Sequence, residues 1–550
     1  MIYNQGNEVP VPNVDLLTLL FESDQSAAQE DTPIHAEAAR PDYFFTKAAS
    51  RTLAKQIAHF LRKEYGIGAH GAGKDVVVTV STGQSALATV FYGVVAAEGV
   101  YSAASGAGTP SDLARQIRQG DSKLLVCSKD LVKLAEKAAE DAGLSKRNVL
   151  VLESYPEVKL GSLDGSTKCD FQNELDWRRI TDQKELEKTT ICMLYSSGTT
   201  GLPKGVLVTH MNVVASTVIP TSLSRPYYAS TGTGYEKRTL GHLPTAHVAG
   251  VMGYFVHPVY EAGTVFWMPG FNFEDFVKYA DQLRITMFFT VPPILMAIAK
   301  HPAVKDQFRF MRGVMSGAAP LTGDLQDAAS KKMSLEEPIT QTWGMSETTG
   351  SATYIPPGRT VRMGSLGPLL PNVLMRLVDD DGNDVKRGEA GEALIKGPIV
   401  SPRYHNNDKA NKESYTSDGW LRTGDILRED DGEFWVMDRK KELIKYKGLQ
   451  VAPAELEGLL ASHPAVLDAA VIGVQQDDTE VPRAYVVLAP SAVGKVKEVD
   501  LAQFVEGKVA HYKKLRGGVK FVESVPRSPS GKILRKDVRE MRKREEGSKL

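Results

Sequence analysis

Twelve consecutive residues, Tyr195-Ser-Ser-Gly-Thr-Thr-Gly-Leu-Pro-Lys-Gly-Val206, hold the densest chemistry in this 550-residue chain. They include four hydroxyls (Ser196, Ser197, Thr199, Thr200), three glycines (Gly198, Gly201, Gly205) and one lysine, Lys204. Glycine lets backbone approach a ligand closely and adopt positive φ. Backbone N–H groups in such turns form anion-binding concavities. The hydroxyls add donors and Lys204 adds a mobile positive charge. By composition this is a phosphate loop; a flexible surface turn would explain the glycines and serines but not their order. It lacks the Gly-x-x-x-x-Gly-Lys-Ser/Thr spacing of a Walker loop.

Other clusters could serve the same ligand. Met315-Ser-Gly-Ala-Ala-Pro-Leu321, with Ala319, is a small-residue turn against which a flat base can lie. Gln341-Thr-Trp-Gly-Met-Ser-Glu-Thr348 offers Trp343 for stacking, Ser346 for a phosphate and Glu347 for Mg²⁺, a hard ion suited to oxygen ligands. Gly419-Trp-Leu-Arg-Thr-Gly-Asp425 places a carboxylate after a tight turn, suited to two ribose hydroxyls. Asp438 to Glu457 opens with a cation-rich stretch in which Ile444 and Tyr446 interleave with Lys445 and Lys447, giving a strand with one basic side. Pro526-Arg-Ser-Pro-Ser-Gly-Lys-Ile-Leu-Arg-Lys536 holds Lys532 on a Pro/Ser turn, where a cation can follow charge into a transition state.

Together these stretches closely resemble the signatures of the adenylate-forming superfamily of AMP-binding enzymes. It includes acyl- and aryl-CoA synthetases, beetle luciferases and peptide-synthetase adenylation domains. The stretch from Asp438 is similar to that of plant-type aryl-CoA ligases such as 4-coumarate–CoA ligase. The resemblance spans roughly Lys55 to Lys536. It implies that a carboxylate attacks the α-phosphate of Mg-ATP, releasing pyrophosphate, and that a thiol then displaces AMP. ATP, Mg²⁺ and coenzyme A follow as expected cofactor and co-substrates.

The resemblance also implies residue roles. Ser196, Ser197, Gly198, Thr199, Thr200 and Lys204 would hold phosphates. Ala319, Gln341, Thr342, Trp343, Ser346, Asp425, Arg439 and Lys532 would complete the nucleotide site, with Arg439 on the ribose and Glu347 on the metal. Lys532 would drive adenylation, with His247 bordering the carboxylate and Lys445 near the adenylate. Lys441 would be the hinge, and Lys447 and Gly448 would line the CoA channel. His247, Ala249, Gly253 and Tyr354 would shape the acid pocket. Plant-type ligases carry a tyrosine and a serine where Ala249 and Gly253 stand, so the pocket should be larger and less polar, favouring a bulky or aliphatic acid over a hydroxycinnamate. Thr342 replaces a glycine. Pro269-Gly270 occupies the region of a CoA-side lysine, which puts part of the CoA grip in doubt.

These groups need a scaffold. Short apolar runs alternate with helical patterns from Val76 to Leu152 and again from Thr264 to Lys300, which predicts mostly parallel sheets covered on both faces. Asp15 caps a helix over Leu16 to Phe21, and Ser111 caps one running through Ile117. Gly66-Ile-Gly-Ala-His-Gly71 follows a helix and precedes a strand, so it reads as a helix C-cap and turn, not a dinucleotide fingerprint. From Gly364 the texture is β-rich. The expected architecture is α/β: a large N-terminal domain (1–437) of two α/β subdomains plus a β-barrel-like subdomain, then a small mobile α+β domain (438–550) with its hinge at 438–441.

A net charge of −1 gives no broad case for nucleic acid or anionic membrane partners. No run is long and apolar enough to predict a membrane span. The three cysteines, Cys127, Cys169 and Cys192, form no Cys-x-x-Cys pair, which suits a reducing compartment; packing explains them better than catalysis. Ser548-Lys549-Leu550 matches the peroxisomal address, which implies an import receptor as partner and the peroxisomal matrix as location. Rival readings are an enzyme that loads a carrier protein, a luciferase-like oxygenase and a catalytically silent acyl-nucleotide binder.

Overall fold

The computed structural model describes residues 1–196, 203–231, 236–447, 449–476, 478–528 and 531–547. The first body is a seven-stranded sheet. Its order is Lys159–Ser162, Val149–Glu153, Leu124–Ser128, Val76–Val80, Val100–Ala104, Thr190–Ser196, Lys204–Thr209. The inner strands are parallel and both edge strands antiparallel. Every residue of Val76–Val80 is buried, as a strand covered on both faces requires. Leu87–Ala96 is apolar all round and buried throughout, the signature of a helix enclosed by other elements. Lys47–Tyr65 ends on Gly66 in the left-handed conformation (φ 66°). Asp15 caps Leu16–Phe21 as expected. The cap expected at Ser111 is instead Thr109, which forms a capping box with Asp112 and starts the helix Pro110–Gln119 two residues earlier.

A second sheet runs Arg238–Gly241, Thr264–Trp267, Pro33–Glu37, Arg40–Thr46. Its first three strands are parallel, and the N-terminal pair has no counterpart in the sequence reading. The Thr286 N–H donates to Arg238 O (3.0 Å), which sets this sheet beside a third, Met287–Thr290, Gly313–Ser316, Thr340–Gln341, also parallel. Parallel strands leave a crevice outside their carboxyl ends where ligands bind. Here those ends deliver the segments holding His247, Ala318-Ala319 and Thr342-Trp343.

The β-rich region corrects one expectation. Leu374–Val378, Ala390–Lys396, Leu421–Asp430 and Glu433–Arg439 form an open antiparallel meander, not a barrel. Four strands are too few to close around packed side chains; Tyr3 bridges Met375 on one outer strand instead.

The small domain packs the helices Pro453–Ser462, Glu498–Glu506 and Arg535–Gly547 on the three-stranded sheet Val466–Gln476, Thr479–Leu488, Val519–Phe521. In sequence this domain reads helix, strand, strand, helix, the last over Asp500 to Lys513; the structure adds the strand Val519–Phe521 and the helix Arg535–Gly547, and the helix from Glu498 stops at Glu506. The three cysteines are free and buried, with their thiols pushed up by burial, Cys127 and Cys192 to about 12 and Cys169 to about 11. They pack; they are not nucleophiles. No described helix is long and apolar enough to cross a membrane.

Candidate active site

The phosphate-loop stem is the edge hairpin of the seven-stranded sheet, where Ser196 pairs with Lys204. Ser197, Gly198, Thr199 and Thr200, like Gly448 and Ser548-Lys549-Leu550, lie outside the described residues. Lys204 Nζ sits 4.8 Å above the Tyr404 ring. The Tyr404 hydroxyl donates to Glu347 Oε1 at 2.8 Å. Burial and the Glu347 charge push that hydroxyl's pKa far up, so it stays a donor. Ser346 and Glu347 are both buried in the single turn Ser346–Thr348. That turn follows Gly344, whose backbone pairs with Ser351; a Cβ there would stand 1.8 Å from Gly350 O. Only glycine fits.

A cavity of about 490 Å³ opens between the domains. Ala318, Ala319, Thr342, Trp343 and Asp425 line its large-domain side, Lys532, Arg527 and Arg535 its small-domain side, and Arg439, at the end of the strand Glu433–Arg439, lies at the join. Trp343 Nε1 donates to Asp425 Oδ2 at 2.8 Å, and Arg439 Nε stands 3.2 Å from Asp425 Oδ1. Asp425 and Arg439 are register partners on adjacent strands, so the sheet itself sets this pair. A carboxylate has about four lone-pair sites, which leaves capacity for two ribose hydroxyls. Ala318 holds φ 70°, a left-handed conformation rare for alanine. Gln341 does not line the cavity. Its Oε1 accepts from Leu321 N (3.2 Å), so it braces the small-residue loop from behind.

Lys532 reaches this cavity on a loop anchored from both sides. Arg527 pairs with Asp468 at 2.6 Å, and Lys532 N donates to Ser528 Oγ at 3.2 Å. Burial, reinforced by the Arg439 charge, pushes the Lys532 ammonium down to about 7; Asp425, Glu347 and Glu442 oppose the shift. Burial lowers His247 as well, and the charge of Lys532 adds to the shift. In sequence His247 reads as the end of an apolar strand; in the structure that strand, Arg238–Gly241, ends earlier and His247 precedes the short helix Val248–Gly250.

His247, Ala249, Gly253 and Tyr354 all line a second cavity, of about 230 Å³. The two cavities share Ala318, Thr342 and Gly344. A Cβ at Gly253 would meet nothing within 4 Å, so open space adjoins it. Thr342 turns its hydroxyl away, donating to Thr353 O at 2.7 Å.

Lys441, Lys445 and Lys447 line neither cavity. All three are exposed, the last two on the hairpin Ile444–Tyr446/Leu449–Val451. Lys447 holds φ 46°, and its N–H donates to Thr479 Oγ1 at 2.7 Å. Among the described residues no group of three or more His, Cys, Asp and Glu could hold a metal. Glu347 alone suits Mg²⁺ that keeps its waters and binds mainly through substrate phosphates. Tyr404, Arg535 and Lys300 escaped the sequence reading. Lys300 Nζ spans the domains, donating to Val466 O (2.5 Å) and Ala461 O (3.3 Å).

The chain is similar to known proteins in sequence and fold. A model of the AMP-binding enzyme family matches residues 24–405, and one of the AMP-binding enzyme C-terminal domain matches 455–532. A provisionally named acyl-coenzyme A synthetase of Emericella nidulans is 45% identical over 547 residues, 98% of each chain. The phenylacetyl-CoA ligase of Aspergillus niger is 31% identical over 98% of each chain. The solved structure of ATP-bound MatB from Rhodopseudomonas palustris superposes with a TM-score of 0.80 at 25% identity, covering 96% of this chain and 98% of that one. The chain belongs to the AMP-binding enzyme family.

Proposed function

We propose that this protein is an AMP-forming acid–CoA ligase: it joins a carboxylic acid to ATP as an acyl-adenylate, releasing pyrophosphate, then transfers the acyl group to coenzyme A, releasing AMP. One observation carries the reading. Lys532, from the small domain, enters the cavity lined by Trp343, Asp425 and Arg439, and that cavity adjoins the His247 pocket through Ala318, Thr342 and Gly344.

Trp343 offers its face to the base and Asp425 its free lone pairs to the ribose. The phosphate-loop hydroxyls and Lys204 grip the phosphates. Lys532 neutralises the carboxylate and the α-phosphate as they approach, and follows charge into the transition state. Mg²⁺, when bound, would be held by Glu347 and the substrate phosphates and would offset charge on the departing pyrophosphate. The roles of residues 438–550 as a lid, of Lys441 as its pivot, and of Lys445, Lys447 and Gly448 as the face serving the thiol step belong to the same proposal. The exposure of Lys445 and Lys447 while Lys532 is docked supports it. Ala249 and Gly253 support a bulky or aliphatic acid.

Pyrophosphate release measured across fatty, phenylacetic and cinnamic acids, with and without CoA, tests the reading. Acid-dependent release with CoA-dependent thioester is expected. Release without any thioester would favour carrier loading, and light or oxygen uptake the oxygenase. The tripeptide Ser548-Lys549-Leu550 supports import into peroxisomes, an address that is read at a free carboxyl end. A fluorescent fusion should lose its punctate location when the tripeptide is deleted, and unchanged location would end that proposal.

A further inference from the structure

The acid pocket has two unlike halves. Near His247 its walls are apolar: Leu243, Val248, Met252, Phe289 and Met315. It then follows the parallel strands back from their carboxyl to their amino ends, reaching Lys237 and Gly263, which precede Arg238–Gly241 and Thr264–Trp267. Four residues at about 3.3 Å each put this end roughly 13 Å deeper. Here the walls turn polar. Lys237 and Glu261 form an ion pair whose side chains are 13% and 14% exposed. Thr221 Oγ1 donates to Glu261 at 3.5 Å. Ser216, 5% exposed, has a buried Oγ with no partner, and so has His257 Nε2.

Buried polar atoms without partners are rare and call for an explanation. Resting on the ligase reading above, we propose that this deep end is a subsite for a hydroxyl carried by the acid far from its carboxylate. His257 Nε2 is buried and unpartnered, and a neutral imidazole can present a lone pair there. Burial holds the imidazole neutral. Ser216 Oγ–H can therefore donate to the substrate oxygen while the substrate O–H donates to His257 Nε2. The Lys237–Glu261 pair selects against charge. A second carboxylate would meet Glu261, and an ammonium would meet Lys237. A bare alkyl or aryl end would leave both orphan atoms unpaired.

The test compares kcat/KM for pyrophosphate release between matched acids: medium-chain fatty acids against their terminally hydroxylated forms, and phenylacetic and cinnamic acids against their para-hydroxy forms. On the scaffold turned over fastest, the hydroxylated acid should be preferred by about tenfold or more, because a site built to bond a hydroxyl rejects the analogue lacking it. Ser216→Ala and, separately, His257→Leu should each collapse that ratio; a ratio from either soluble variant suffices. Parity between matched acids in the unaltered enzyme, or a ratio untouched by both substitutions, overturns the subsite and leaves the ligase reading standing. No pyrophosphate with any acid overturns the ligase reading and the subsite with it.

Discussion

Lys532 concentrates the chemistry of the site at the scale of a single side chain. Docked beneath the large domain and facing Arg439, its ammonium is pushed down to about 7, so above neutral pH the ligand-free enzyme loses the cation. Because kcat/KM reports the free enzyme, it should fall as pH rises through about 7 for the adenylation step. Bound phosphates and carboxylate restore the charge, so kcat should stay flatter over the same range. Lys532→Arg should flatten the kcat/KM limb, since guanidinium stays protonated; an unchanged limb would assign the titration elsewhere. Lys532, Asp425, Trp343 and Glu347 were legible in the sequence because each stands inside a contiguous motif. Tyr404 was not. Its part arises from a hydroxyl meeting Glu347 across 57 residues of chain, which no local pattern encodes. Ser216 and His257 were hidden in the same way, and their polarity qualifies the less polar pocket that Ala249 and Gly253 implied.

Among the elements, those with strong local signals were readable. Val76–Val80, Leu124–Ser128 and Thr264–Trp267 are short apolar runs of the kind a doubly covered sheet demands. Pro33–Glu37 was missed because its run is short and its pairing is split between Arg40–Thr46 beside it and Thr264–Trp267, more than 200 residues away. The barrel expectation failed for a related reason: alternation reveals strands but not whether the outer two meet. The helix Pro292–Lys300 joins sheet to lid through its last residue. Lys300 donates to two small-domain carbonyls, Ala461 O and Val466 O, contacts that the proposed rotation of that domain would break. Lys300→Met keeps the apolar stem and removes the donor. A hydrogen bond from a charged group contributes about 1 kcal/mol or more, so adenylation kcat/KM should fall about fivefold. Thioester formation from synthetic acyl-adenylate should not fall. Equal losses in both steps would make Lys300 a general stability element.

At the scale of the whole molecule, the chain brings widely separated loops around one nucleotide cavity and sets an acid pocket against it. Its two domains could be inferred from composition and motif order, because a chain this long outgrows one core. The junction of the two cavities at Ala318, Thr342 and Gly344 could not, since it depends on the ends of two separate strands, Gly313–Ser316 and Thr340–Gln341, meeting. The account predicts that Lys532 serves only the first step. The most direct test measures both half-reactions in Lys532→Ala. Pyrophosphate-releasing adenylation should fall by about 10²–10³-fold, as expected when a group aimed at developing charge is removed, while CoA transfer to premade acyl-adenylate proceeds near the unaltered rate. Equal losses in the two half-reactions, or unimpaired adenylation, would contradict it.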